Sequence, residues 1–157
     1  MKTFARRVAP PLAVAALLAS CGGSPSSLPS RPVTLTVLAA SPLVRVLPQL
    51  GAMYTQQHAG VSFRFSFAST DALAARLRQG ASADVFAGVL TGSSHLSSTG
   101  LVDAATPFCT SRGTTYVIAV VAASKNAAAA QRFLDYVMSA PAQTVLRKAG
   151  FGPPPPG

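Results

Sequence analysis

Hydroxyl-bearing residues stand at two places where a β-prone run gives way to a helix-like one, Leu38-Ala39-Ala40-Ser41-Pro42 and Phe67-Ala68-Ser69-Thr70-Asp71. Capture of a small oxyanion is the chemistry such junctions support. A helix start presents N–H groups without intrahelical partners and the positive end of the helix dipole, so an anion is held there without a side-chain cation. Little else in the chain competes for a chemical role. No cluster of His and Asp has ligand spacing, Glu is absent, and the serines lack an evident base, which argues against an enzyme and against a direct metal site. His58, in the polar run Gln56-Gln57-His58, reads as a surface residue, and His95 as an exposed one rather than a metal ligand.

Elements of alternating type must position the two junctions. Val33 to Leu38 is a short β-prone run, after which Ser41 is predicted to cap a helix with Pro42 at its first interior position, where a missing N–H costs nothing. Leu43, Val46, Leu47, Leu50, Met53 and Tyr54 recur at helical spacing and are expected to face a sheet. Val61, Phe63, Phe65 and Phe67 alternate with Ser62, Arg64 and Ser66, a period-two strand signal. Ser69 or Thr70 then starts a helix through Ala72, Leu73, Ala74 and Leu77 that stops near Gly80. Asp84-Val85-Phe86-Ala87 reads as the next strand, Thr91 to Thr99 as either a weak helix or a loop, and Tyr116 to Val121 as a short apolar strand. After Ser124-Lys125-Asn126, an Ala-rich segment with Phe133, Leu134 and Val137 is helical, and Pro141 starts another helix that ends by Gly150. Phe151-Gly152 and the prolines after it read as an extended, frayed end. The alternation predicts an α/β fold, a parallel-type sheet with covering helices, whose binding sites lie beyond the carboxyl ends of the strands.

The first residues bear on location. Lys2, Arg6 and Arg7 precede an apolar run from Val8 to Ala19 that ends in Leu18-Ala19-Ser20-Cys21-Gly22. Residues 1–20 are expected to be a lipoprotein signal peptide, because the run is too short to span a bilayer and closes in a lipobox. Acyl chains on Cys21 would hold the protein at a membrane outside the cytoplasm. Residues 21–32, rich in Gly, Ser and Pro, then form a tether, 33–151 a single modest domain, and 152–157 a Pro-rich tail. The 13 Lys plus Arg against 4 acidic residues give a formal charge of +9. Those charges are scattered, without aromatic-basic interleaving, which argues against a nucleic-acid partner. Arg31 and the pair Arg147-Lys148 either solvate the surface or help collect anions. With Cys21 acylated, Cys109 has no disulfide partner and reads as a neutral thiol.

Taken in order, these residues resemble the periplasmic molybdate-binding proteins of ABC transporters, type II solute-binding proteins. The matching stretches are Leu35-Thr36-Val37-Leu38-Ala39-Ala40-Ser41, Phe65 to Ala74, Gln79 to Ala87, and Ser124-Lys125-Asn126 through Phe133-Leu134-Asp135-Tyr136-Val137 to Lys148-Ala149-Gly150-Phe151. The resemblance implies an oxyanion held by Ser41, by the hydroxyl of Thr70 where the family usually has Ser, and by Ser69 and the backbone beside Ala40. Asp71 departs from the small or hydroxyl residue usual there. Between Thr106 and Thr115 the family carries a long stretch that forms most of a second lobe with further donors and a tyrosine. Here the chain runs almost directly into Tyr116-Val117-Ile118-Ala119-Val120-Val121, which matches the strand after that lobe, so Tyr116 does not take the tyrosine's role.

What the resemblance implies is one lobe of a periplasmic binding protein, truncated, that binds molybdate or tungstate as the substrate-binding component of an ABC importer. Its partners would be a membrane permease and, through Cys21, lipid. No cofactor is implied, and molybdenum enters only as the bound oxyanion. The surface left by the missing lobe would favour self-association. Two other readings remain open at this point, a truncated relative that no longer transports and a surface interaction lipoprotein.

Overall fold

Val33–Ala40, strand β1, is the element around which the rest assembles, and its second half is buried on both faces, as a central parallel strand requires. The computed structural model describes residues 31–156; the expected signal peptide, Cys21 and the expected tether up to Ser30 lie outside the described residues, as does Gly157. The chain continues through a 3-10 turn at Ser41–Leu43, α1 (Val46–Gln57), β2 (Val61–Ala68), α2 (Thr70–Arg78), β3 (Val85–Val89), α3 (Leu90–Ser98), β4 (Thr106–Ser111), β5 (Thr114–Val120), α4 (Ala127–Met138) and α5 (Ala140–Lys148).

The strands lie in the order β2-β1-β3-β5-β4. β1 pairs parallel with both β2 and β3, while β5 runs antiparallel to β3 and to β4. The α/β class is as expected; the sheet, however, is mixed rather than wholly parallel. A two-residue turn at Arg112-Gly113, with φ of +48° and +77°, joins β4 to β5 and enforces that reversal. This hairpin occupies the region where the resemblance places a second lobe.

Helices cover both faces. Leu47, Leu50 and Tyr54 of α1 join Phe133 and Leu134 of α4 and Leu146 of α5 on Leu35, Val37 and Ile118 of the sheet. Leu73 and Leu77 of α2 and Leu96 of α3 pack on Leu38, Phe86 and Ala119 on the other side. The Phe63-Phe65-Phe67 stripe stacks along edge strand β2, with ring centroids 5.6 and 5.9 Å apart. Gly51 lets α1 approach that stripe, since a Cβ there would lie 2.9 Å from the Phe65 ring.

Several local expectations change. Thr91 to Ser98 falls within the helix α3 and Thr99 in the turn after it, although the side chains of residues 92–95, His95 with them, lie outside the described ones. Strand β4 was not anticipated: Pro107 and a bulge between Pro107 and Cys109 break its period-two pattern. The tail is not frayed at its start. Gly152 exchanges both backbone hydrogen bonds with Thr110, and the Thr110 hydroxyl donates to Pro153 O at 3.1 Å, so the tail covers the outer edge of β4. Cys109 is fully buried, and desolvation pushes its thiol up to about 12, the neutral form expected of it.

Candidate functional site

The carboxyl ends of β1, β2 and β3 bring the two hydroxyl junctions together. Parallel pairing sets Ala40 beside Ala68 and Ala39 beside Ala87. Adjacent strands lie about 4.8 Å apart, so Ser41, Ser69 and the end of β3 leave the sheet side by side. α2 crosses from β2 toward β3, and this carries Thr70 over the end of β1: Thr70 Oγ1 accepts from Val89 N–H at 3.1 Å. One hydrogen bond thereby ties the second junction to the end of β3.

Each hydroxyl has a distinct setting. Ser69 is the N-cap of α2, extended at φ −65° and ψ 151°, and its Oγ accepts from Ala72 N–H at 3.3 Å. Thr70 is buried, and its methyl lies where a Cβ on Gly88 would meet it at 3.0 Å. The methyl is thus turned toward Gly88, which must stay bare to accept it. In both residues an N–H already occupies the oxygen as acceptor, leaving the O–H as the group to offer. An oxyanion takes donors only, so hydroxyls spent as acceptors on one side suit it on the other.

The first junction differs from expectation. Ser41 does not cap a helix: Ala40, extended at φ −60° and ψ 140°, takes the cap position, Ser41 is the first residue of the short 3-10 turn, and no side-chain cap bond forms. Three residues build little dipole, so electrostatic help at this end comes mainly from α2. Ser41 is exposed and its hydroxyl serves no cap. Asp71, the residue out of keeping with an anion site, is exposed in the first turn of α2, where a carboxylate offsets unpaired N–H groups.

A second polar centre at the opposite end of the sheet was not recognised from sequence. Asp84, 7% exposed, precedes β3; its Oδ2 accepts from Thr36 N–H at 2.8 Å, and its Oδ1 from the Ser124 hydroxyl at 2.6 Å and Asn126 Nδ2 at 3.2 Å. A cavity of about 630 Å3 opens here, lined among others by Thr36, Leu77, Asp84, Leu101, Ser124 and Lys125. It suits an anion poorly. Asp84 brings negative charge, and its partners are already engaged. Partners 40 to 48 residues distant left no local sign of this centre.

Comparison with known proteins accords with this architecture. The profile of the bacterial extracellular solute-binding protein family matches residues 35–114 and 110–152, two segments that meet at the β4–β5 turn. The chain belongs to that family. Among relatives, the molybdate-binding protein ModA of Mycobacterium tuberculosis (strain H37Rv) is 40% identical over 78 residues, 47% of this chain and 30% of the relative, as is ModA of Mycobacterium bovis. The chain therefore spans less than a third of the length of these relatives. In structure it is similar to the periplasmic molybdate-binding protein of Azotobacter vinelandii, with a TM-score of 0.70 at 11% identity over 77% of this chain and 100% of that one. It is also similar to the sulfate-binding protein SubI of M. tuberculosis, with a TM-score of 0.63 at 14% identity over 77% and 87%. At those identities the structural likeness is one of fold. The relatives are solute-binding proteins rather than enzymes.

Proposed function

We propose that this protein is an extracytoplasmic molybdate-binding component of an ABC importer, held at the membrane by lipid on Cys21, which presents its anion to a membrane permease. Tungstate, a dianion of the same shape and charge, is proposed as a second ligand. Ser41, Ser69 and Thr70 donate their hydroxyl protons to the anion, joined by backbone N–H groups beside Ala40 and at the start of α2. No bond is made or broken and no cofactor takes part.

The observation that carries this reading is the orientation of the second junction. Ala72 N–H and Val89 N–H each take one lone pair of Ser69 and Thr70, which supports a donor role for the two O–H groups, and the eight-residue parallel pairing beneath them ends at Ala40, the residue before Ser41. Family membership and the molybdate-binding relatives support the choice of anion.

Calorimetric titration of the full chain in mild detergent with molybdate, tungstate, sulfate and phosphate tests it. Saturable heat with molybdate and tungstate and none with phosphate is expected; a folded chain that gives no heat with molybdate overturns the reading. Anchoring is tested separately: Cys21→Ser is expected to move the protein from the membrane to the soluble fraction, and an unchanged distribution contradicts the lipid attachment.

A further inference from the structure

All the donors of the proposed site come from one side. Ser41 and Ser69 are exposed at the strand ends, so an anion resting on them keeps its far face in water. Full desolvation of a dianion requires donors around it. The rim of the site is divided in a way that suits one source for them. Val44 and Arg45, both exposed, lie in the link between the 3-10 turn and α1, on the side of the sheet that α1 covers. Asp71 and Leu90, also exposed, begin α2 and α3, which cover the other side. Val44 at 48% and Leu90 at 40% exposure are the two most exposed large hydrophobic residues of the described surface.

We infer that a second copy of this chain supplies the missing half of the site: two molecules meet carboxyl end to carboxyl end and enclose one dianion between two sets of Ser41, Ser69 and Thr70. This rests on the functional reading above. A two-fold axis running across the strand ends turns the α1 side of one molecule onto the α2 and α3 side of the other. Arg45 then stands opposite the partner's Asp71, and Val44 opposite the partner's Leu90, each pairing made twice as in any isologous contact. Both molecules are basic, so a dianion between them offsets their repulsion and couples pairing to ligand.

Sedimentation velocity of the full chain in mild detergent, titrated with sodium molybdate while bound molybdenum is counted, tests the inference. Pairing that grows with molybdate and saturates at one molybdate per two chains is expected. Arg45→Asp sets carboxylates against each other and weakens pairing about tenfold or more. Adding Asp71→Arg to it restores pairing, which a folding defect would not allow. One molybdate per chain without pairing overturns the second copy and leaves the functional reading intact. No molybdate uptake by the folded chain overturns that reading, and this inference with it. Pairing indifferent to Arg45→Asp overturns the apposition.

Discussion

The two ends of the β1–β3 sheet use polar side chains in opposite ways. At the amino end Asp84 gathers the Thr36 N–H, the Ser124 hydroxyl and the Asn126 amide, and so fastens β1 and β3 to the start of α4. At the carboxyl end Ser69 and Thr70 each accept one N–H and keep a donor over, while Ser41 makes no cap bond. The first arrangement consumes its hydrogen-bonding capacity and the second holds some back. The cavity of about 630 Å3 lies at the first of these ends, where the polar groups serve the fold.

If the ends differ in this way, substitutions must separate stability from affinity. Asp84→Ala is the most damaging expected change, since it strands a buried N–H and two side-chain donors; a loss of roughly 3 kcal/mol or more should appear in urea unfolding. A loss below about 1 kcal/mol would remove Asp84 from the framework. Alkaline pH provides a background common to both ends. Burial lifts the Cys109 thiol from 9.0 to about 12, so the folded state keeps a proton that the unfolded state releases. Stability is complete below pH 9 and falls as pH rises toward 12, by on the order of 2 kcal/mol at about pH 10.5. Cys109→Ala should remove the part of that slope which begins near pH 9. Thr70→Val should act on both properties, costing about 1 kcal/mol of stability through loss of the hydrogen bond from Val89 N–H and weakening molybdate binding at least fivefold, about 1 kcal/mol. Thr70→Ser should restore both. The smallest expected change is a gain: Arg112→Asn at φ +48° should stabilise the β4–β5 hairpin by about 0.5–1 kcal/mol.

Much of this fold can be read from the chain because its cues are local. The alternation from Val61 to Phe67 became β2, Gly80 and Gly150 end α2 and α5 at positive φ, and Pro141 opens α5. The hydroxyl junctions were visible for the same reason, as short motifs at strand ends. What escaped depends on distant partners. Asp84 looks like any strand-initiating residue until Ser124 and Asn126 are folded against it. The antiparallel sense of β5 follows from the Arg112-Gly113 turn and from pairing with β3, neither of which the apolar run Tyr116 to Val121 announces. Ser41 misled in a different way: Ser followed by Pro is a common helix opening, yet the chain makes only one 3-10 turn before α1 starts at Val46.

Thermal unfolding of the wild-type chain and of Ser41→Ala, each with and without molybdate, tests most directly whether the carboxyl end holds donors for a ligand. Ser41 is exposed and caps nothing, so without ligand the two proteins should melt together. Molybdate should raise the wild-type melting temperature in a saturating manner and raise that of Ser41→Ala clearly less. Equal increases in both, or none in the wild type, would contradict the account.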